Sequence, residues 1–294
     1  MMKNQHPTEQ LWIYNYTQHT QYESYWNEFT LQTRGLILND KHEVIARPLS
    51  KFFNLSEVGL ENLPQLPFEV YEKMDGSLGI LYWTNGKPFV ATRGSFNSEQ
   101  SIEANNMLNT TYKNSIEQLD ESCTYLFEII YPENRIVVDY GDAKELVLVA
   151  IVESKTGEER ELVDIGFPIA KKYNEFNTIE EMLVLNWSNH EGFVLKYSNG
   201  YRVKIKFEEY VEIHRIITQV SSLSIWKALK ERGDLKLFIE NVPDEFYKWV
   251  KATEETLLNE YKKIEDVAKL DYKEFATRKE TALYFQTCKY PAIL

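Results

Sequence analysis

The hydrophobic periodicity of the chain changes once, near Glu208, and this change limits the folds that it can adopt. Before it, short runs of alternating polar and apolar residues dominate, a pattern typical of antiparallel sheets. After it, apolar residues recur at intervals of three and four, as in Leu257, Tyr261 and Ile264, a pattern typical of helices. The chain should therefore contain a β-rich part followed by a helical part.

These patterns predict an α+β domain over residues 1–215, built on antiparallel β-sheets with flanking helices, and a small all-helical domain over residues 216–294. The expected strands are residues 36–38, 68–71, 78–83, 124–130, 146–152, 193–197 and 201–207. Two helices should interrupt them, one over residues 98–119 and one that begins at Thr178, where Glu181 completes a capping box.

Charge and composition exclude several classes of protein. The net charge of -12 disfavours a general coat for nucleic acid, although a few clustered cations could still form a phosphate site. The longest apolar run, residues 146–152, is far shorter than the roughly 20 residues that cross a bilayer. Residues 1–10 are polar and unlike a secretory signal, so we expect no membrane partner and a cytoplasmic location. Cys123 and Cys288 form no disulfide framework.

The segment Lys73-Met74-Asp75-Gly76 lies between two expected strands and has two interpretations. It could be a surface β-turn with Asp-Gly at its tip, joining the strands as a hairpin. Alternatively, Lys73 could be a nucleophile, in which case other cations or a desolvated environment should help its ammonium group to lose a proton. A lone motif of this kind does not decide between the two.

Cations that could converge on Lys73 are found in residues 191–207, which resemble a β-hairpin. A two-residue turn at Asn199-Gly200 would mix apolar and charged side chains on one face. A three-residue turn with a left-handed Gly200 separates them and is preferred. In that register Lys204 and Lys206 share a cationic face suited to phosphate, with Gly192 opposite Lys206. A solvated basic strand is the alternative.

Single residues elsewhere fit the same chemistry. Arg34 precedes an apolar strand, and Lys51 lies beside two aromatic residues, Phe52 and Phe53, an arrangement suited either to a base and its phosphates or to core packing with a surface cation. Glu128 interrupts an apolar strand, so its carboxylate should be paired, bound to metal or hydrogen-bonded to a ligand.

The order of these motifs resembles that of the covalent lysyl-nucleotidyltransferases and, among them, the ATP-dependent RNA ligases of the bacteriophage T4 RNA ligase 1 family. The similarity covers residues 11–215 and is carried most specifically by the Lys-Phe-Phe-Asn and Asn-Arg-Ile-Val segments. The matching segments are Tyr14-Asn15-Tyr16, Arg34-Gly35, Arg47-Pro48, Lys51-Phe52-Phe53-Asn54, Lys73-Met74-Asp75-Gly76-Ser77, Gly94-Ser95, Ser98-Glu99-Gln100, Phe127-Glu128, Asn134-Arg135-Ile136-Val137, Glu191-Gly192 and Lys204-Ile205-Lys206.

The resemblance implies a nucleotidyltransferase (adenylyltransferase) fold and a function for each matching residue. Lys73 would be the nucleophile that carries AMP, with Lys204, Lys206 and Asp75 as further catalytic residues. Glu191 would bind Mg²⁺ directly or through water. The implied nucleotide-binding residues are Arg34, Lys51, Phe53, Glu72, Gly76, Arg93, Glu128, Gly192, Lys204 and Lys206. Among these, Phe53 would pack on adenine, Glu128 would bind ribose, and both glycines would let the backbone approach the nucleotide.

The resemblance further implies ATP as the AMP donor, Mg²⁺ or alternatively Mn²⁺ as metal, and RNA 3′-hydroxyl and 5′-phosphate ends as substrate. Nicked tRNA and an RNA repair function belong to this expectation, as does a monomeric protein. The chain departs from the family in two ways: Arg93 replaces a lysine, and the tail after His214 is shorter. A preference for tRNA therefore does not transfer with the motifs. Two alternatives stay open, namely a DNA ligase or capping guanylyltransferase, and a non-catalytic protein that binds RNA ends.

Overall fold

The computed structural model describes residues 1–239, 242–243 and 246–294. The chain divides into two compact units, Met1–Ile217 and Thr218–Leu294. Within the described residues, no helix combines the length and the apolar character needed to cross a membrane.

The first unit contains three sheets. The strands are β1 Met2–Gln5, β2 Leu11–Asn15, β3 Arg34–Asn39, β4 Val44–Ala46, β5 Phe53–Asn54, β6 Phe68–Glu72, β7 Ser77–Thr84, β8 Lys87–Thr92, β9 Cys123–Ile130, β10 Glu145–Glu153, β11 Glu159–Arg160, β12 Lys172–Tyr173, β13 Gly192–Tyr197 and β14 Arg202–Lys206. The sheet orders are β1-β2-β3-β4, β11-β10-β9-β7-β8 and β12-β6-β13-β14-β5. Neighbouring strands are antiparallel except β14 and β5, which are parallel.

Helices surround these sheets and make up the second unit. In the first unit they are α1 Gln18–Tyr22, α2 Glu28–Gln32, α3 Leu55–Val58, α4 Glu99–Asn109, α5 Ile179–Leu183 and α6 Glu208–Ile217, with 3₁₀ turns at Leu60–Asn62, Lys113–Gln118 and Pro132–Asn134. In the second they are α7 Ser222–Arg232, α8 Lys236–Ile239, α9 Tyr247–Asp271 and α10 Arg278–Phe285. The α+β class with a helical C-terminal region is thus confirmed.

The helix expected over residues 98–119 is interrupted after Asn109. It begins as expected, because the Ser98 side chain accepts a hydrogen bond from the backbone N–H of Ser101. At its end the side chains of Asn109 and Thr110 donate to the carbonyls of Asn105 and Asn106 and compete with backbone hydrogen bonding. The rest of the segment forms a separate 3₁₀ turn. The capping box at Thr178 is present.

The hairpin formed by β13 and β14 has the predicted three-residue register. Gly192 lies opposite Lys206, and Val194 lies opposite Lys204. Gly200 has φ +83°, the left-handed conformation that the turn requires. Phe193, Leu195, Tyr197, Val203 and Ile205 on the other face are buried in an apolar core with Phe207.

The segment between β6 and β7 is not a hairpin turn, because these strands belong to different sheets. β6 pairs with β12 and β13, whereas β7 pairs with β8 and β9. Residues 73–76 therefore cross from the third sheet to the second, and the surface-turn interpretation is wrong. Lys73 lies at the point where two sheets are joined.

Candidate functional site

A cavity of about 560 Å³ lies between the second and third sheets. Side chains from both sheets form its walls, together with residues that come before β7 and after β8. It brings together many of the predicted site residues, namely Arg34, Glu72, Lys73, Gly76, Arg93, Glu128 and Lys204. The remaining predicted residues, Lys51, Phe53, Asp75, Glu191, Gly192 and Lys206, do not form part of its lining.

Two of those remaining residues are nevertheless connected to the cavity wall, because Glu191 contacts Lys73 and Lys206 contacts Glu191. The Lys73 ammonium donates to Oε2 of Glu191 at 2.7 Å, and Lys206 Nζ lies 3.0 Å from Oε1 of the same carboxylate. Glu191 is only 3% exposed. Burial alone would raise the pKa of Glu191, but the two ammonium groups outweigh it and hold the pKa below its ordinary value. One buried carboxylate therefore holds both lysines close together.

This position of Lys73 follows from backbone pairing. The Lys73 N–H donates to the carbonyl of Gly192 at 3.0 Å, so the chain extends the pairing of β6 and β13 by one residue. Lys206 lies opposite Gly192 on the next strand. Sheet register thus places Lys73 and Lys206 on either side of Gly192, in one row across the sheet, as the hairpin prediction required.

Glu128 enters the cavity from the second sheet. Its Oε1 accepts a hydrogen bond from the backbone N–H of Gly76 at 3.1 Å. Burial raises the pKa of Glu128 to about 7, and the charges of Lys73 and Arg34 oppose this effect only in part. Near neutral pH this side chain can therefore accept a hydrogen bond as carboxylate or donate one as acid.

Asp75 has a different environment from the one expected of a catalytic residue. Its carboxylate is 3% exposed, and Oδ2 accepts from the backbone N–H groups of Val137 and Val138 at 2.8 and 2.9 Å. Oδ1 accepts from the Tyr210 hydroxyl at 2.8 Å. These contacts anchor the turn that carries Lys73, and Asp75 stays a prediction as a catalytic group. Sequence reasoning did not identify Tyr210, whose only signal is its place four residues after Lys206.

Lys51 and Phe53 line a neighbouring cavity of about 620 Å³. The Lys51 ammonium lies 5.4 Å from the ring centre of Phe53 and 5.8 Å from that of Trp26. Phe52, which was not selected from the sequence, lines both cavities, and Lys204 Nζ lies 5.2 Å above its ring. Adjacent side chains in extended backbone point to opposite sides, so the two phenylalanines cannot both face the first cavity.

Glycine is required at both predicted glycine positions by the protein itself. A Cβ atom at Gly76 would lie 2.7 Å from the carbonyl oxygen of Ile129. Gly192 has φ +141°, and a Cβ there would overlap the carbonyl oxygen of Ile205. Close packing within the protein thus accounts for both glycines, and their role in letting a nucleotide approach the backbone stays a prediction; Gly76 does line the cavity.

Arg34 and Arg93 both line the cavity. The Arg93 guanidinium lies 5.8 Å from the ring centre of Tyr16 and donates to its hydroxyl at 3.4 Å. This contact uses the planar shape that distinguishes arginine from lysine. Arg93 is thus held by Tyr16, an aromatic residue that directly follows β2.

Glu159 was also missed by sequence reasoning. Both of its oxygens lie 2.5 Å from Nη2 of Arg202, and Oε1 accepts from Lys196 at 2.8 Å. All three residues line the cavity. Glu159 follows another acid in a polar stretch, so the sequence gives no sign that it faces inward.

The residues present do not form a metal cage. Across the part of the chain that is described, no three His, Cys, Asp or Glu residues are grouped to hold a metal ion. Each oxygen of Glu191 already contacts a lysine ammonium, so this arrangement does not fit a direct metal ligand. The assignment of Glu191 to metal stays a prediction without support from its contacts.

Comparisons with known proteins bear on this cavity. A family model described as RNA ligase matches residues 32–211. A protein of Autographa californica nuclear polyhedrosis virus, whose name gives it both polynucleotide kinase and RNA ligase functions, is 30% identical over 241 residues, covering 69% of this chain and 35% of the viral protein. The RNA ligase of Rhodothermus phage RM378 is 24% identical, covering 74% of this chain and 66% of that protein. The chain thus spans between about a third and two thirds of these relatives.

Solved structures also match in part. An RNA ligase of Naegleria gruberi with pyrophosphate has 17% sequence identity and a TM-score of 0.45, covering 56% of this chain and 57% of that one. A variant of the same Naegleria protein, with ATP and Mn, has a TM-score of 0.44 and 17% sequence identity, covering 56% of this chain and 58% of that one.

Proposed function

The chain belongs to the RNA ligase family of the T4 RNA ligase 1 type, and from this premise we propose that it joins RNA 3′-hydroxyl and 5′-phosphate ends with ATP. The observation that carries the proposal is the contact of Lys73 and Lys206 with one buried carboxylate, Glu191, beside a cavity large enough for a nucleotide.

The reaction has three displacements at phosphorus. First, Lys73 Nζ forms a bond to the α-phosphorus of ATP, and pyrophosphate leaves. Second, an oxygen of the RNA 5′-phosphate bonds to the same phosphorus, and the bond to Lys73 breaks. Third, the RNA 3′-hydroxyl attacks the 5′-phosphorus, and AMP leaves. Displacements of this kind depend on positioning and on neutralising phosphate charge.

Lys73 begins as an ammonium group paired with Glu191. Attack requires loss of a proton and release from the carboxylate, because an ammonium nitrogen has no lone pair. An incoming phosphate would attract Lys204, Lys206 and the Lys73 ammonium itself, and would so compete with Glu191 for Lys73. Glu191 therefore positions the nucleophile before ATP arrives.

The other cavity residues have roles that follow from their chemistry. Glu128 would accept a hydrogen bond from ribose, Phe52 offers an aromatic face to the base, and Arg34 and Arg93 would bind phosphates. Lys51 and Phe53 line the adjoining cavity and would contact only the part of the nucleotide that reaches the boundary between the two cavities.

We expect Mg²⁺, with Mn²⁺ as the alternative, to support the reaction by neutralising phosphate charge. The natural RNA, including nicked tRNA in a repair function, and the monomeric and cytoplasmic state belong to the same proposal.

The test is to incubate the protein with α-labelled ATP and Mg²⁺ and to separate it by denaturing electrophoresis. Label that stays on the protein, is lost on addition of pyrophosphate and is transferred to RNA with a 5′-phosphate would support the proposal. Label from GTP alone would indicate a guanylyltransferase, sealing of DNA nicks but not RNA would indicate a DNA ligase, and no label at all would indicate a non-catalytic RNA-end binding protein.

A further inference from the structure

Three rows of side chains cross the cavity face of the third sheet. The pairing of β6 with β13 and of β13 with β14 places residues that lie opposite one another in the same row. Successive rows are two residues apart along each strand, or about 7 Å. The first row is Lys73, Gly192 and Lys206, the second is Tyr71, Val194 and Lys204, and the third is Glu69, Lys196 and Arg202.

The second row has Lys204 at one end, and its other two residues, Tyr71 and Val194, face apolar groups. Tyr71 and Val194 line the cavity from the third sheet, and Leu78, Leu126 and Val149 line it from the second. A flat, uncharged ring fits between these apolar groups, whereas a phosphate would bind at the Lys204 end of the row. A nucleotide with its α-phosphorus beside Lys73 would therefore place its base over the second row and direct the far edge of the base toward the third.

The third row is joined by Glu159 from β11. Arg202 and Lys196 hold the Glu159 carboxylate through hydrogen bonds of 2.5 to 2.8 Å, and all three side chains are mostly buried. The two cations are already engaged with protein acceptors, so a phosphate would have to displace the carboxylate. A carboxylate has about four lone-pair positions, which leaves one for a further donor.

Building on the proposed function, we infer that Glu159, oriented by Lys196 and Arg202, accepts a hydrogen bond from the 6-amino group of adenine and so favours adenine nucleotides. Glu159 would then be a specificity residue, and the two cations would be positioning residues. A carboxylate that is fixed in direction by two partners costs less entropy on binding than a mobile one.

The probes are AMP and purine riboside 5′-monophosphate, which differ only by the 6-amino group. Their equilibrium affinities are measured by calorimetry, without catalysis, on protein freed of bound AMP by pyrophosphate. The wild type should prefer AMP by at least about tenfold, since the lost hydrogen bond involves a charged group. Glu159→Met should reduce the preference to about twofold or less. Glu158→Met is the matched control, because the exposed Glu158 does not line this cavity, and it should keep the full preference.

Lys196→Met provides a second measurement if Glu159→Met fails to fold by circular dichroism. Loss of Lys196, one of the two cations that orient the Glu159 carboxylate, should give an intermediate preference for AMP. A merely structural role would leave this preference unchanged, because the ratio of the two affinities does not depend on the folded fraction. An unchanged preference in the folded variants overturns the inference. A Lys196→Met protein that loses affinity for pyrophosphate but not for AMP would also overturn the inference, since that result would assign the third row to phosphate binding. A wild type that takes no label from ATP contradicts the proposed function instead, whatever its base preference.

Discussion

The Tyr210 hydroxyl donates a hydrogen bond to Oδ1 of Asp75 at 2.8 Å, although the two residues are 135 positions apart. Both side chains are buried. The contact links the turn that carries Lys73 to helix α6, which follows the cationic hairpin. The position of Lys73 therefore depends on a residue outside the cavity.

Tyr210→Phe should lower the free energy of unfolding by about 1 kcal/mol, the usual net contribution of one hydrogen bond. Self-adenylylation should also slow, because the turn is held less firmly. Chemical denaturation and labelling with α-labelled ATP measure the two effects. Tyr201→Phe is the control, since Tyr201 is outside the first cavity and should change neither quantity. Equal labelling rates in Tyr210→Phe and Tyr201→Phe would show that the hydrogen bond to Asp75 does not help to position Lys73.

Lys73→Ala and Lys73→Arg should both abolish covalent labelling with AMP. Alanine removes the nitrogen, and a guanidinium stays protonated and cannot attack phosphorus. Electrophoresis under denaturing conditions gives the result, with Lys87→Ala, at the exposed first residue of β8, as the control. Labelling retained in either Lys73 variant would require another nucleophile.

Glu128→Gln should change the pH dependence of stability. The folded protein holds a proton on Glu128 up to about pH 7, whereas the ordinary pKa is 4.5, so this group lowers the free energy of unfolding as pH rises between these values. The variant should gain stability relative to the wild type between pH 5 and pH 8, on the order of 2 kcal/mol.

Glu191 does not disturb this measurement, because its lowered pKa affects stability only as pH falls below its ordinary value of 4.5. Glu133→Gln, at an exposed position, is the matched control. Parallel pH profiles for wild type and Glu128→Gln would show that Glu128 is ionised throughout.

Gly192→Ala should destabilise the protein by at least about 3 kcal/mol, because strain at positive φ adds to overlap with the Ile205 carbonyl. Gly200→Ala also places alanine at positive φ but has no atom within 4 Å of the new Cβ. It should cost only about 1 kcal/mol. Denaturation curves compare the pair. Similar losses would mean that backbone conformation alone demands glycine at position 192.

Truncation after Ile217 should leave self-adenylylation intact and weaken RNA sealing. Every residue assigned to nucleotide chemistry, and also Tyr210, lies in the first unit. Circular dichroism checks folding, and labelling and sealing are measured separately over a range of salt concentrations. A folded truncation that seals RNA as well as the full chain would exclude the second unit from substrate choice, and one that takes no label would give it a part in the nucleotide site.

The hairpin register was predictable because only one turn length separates apolar from charged side chains. The sheet to which β7 belongs was not predictable, because residues 68–84 have the same local pattern whether β6 and β7 pair with each other or join different sheets. Contacts between residues distant in sequence decide which strands pair, and the local pattern of a single sequence does not reveal those contacts.

Within the site, too, the residues located by local sequence motifs were predictable, and those placed by tertiary contacts were not. Motif spacing located Lys73, Glu191 and Lys206, which the structure brings together. Phe52 could not be chosen over Phe53 without knowing which way the extended segment turns. Glu159 lacked any signal, because its neighbours in sequence are polar and its partners are on another sheet.

The length of the turn between β13 and β14 determines which face of the hairpin carries the cations of β14. Side chains alternate along each strand, so the number of residues between Tyr197 and Tyr201 decides whether the lysines of β14 share a face with Gly192 or with Phe193. Loss or gain of a single turn residue would move three cations into the apolar core unless a bulge absorbed the change. Length variation at this turn should therefore occur in steps of two, and the three-residue spacing is itself a functional element, although none of its side chains lines the first cavity.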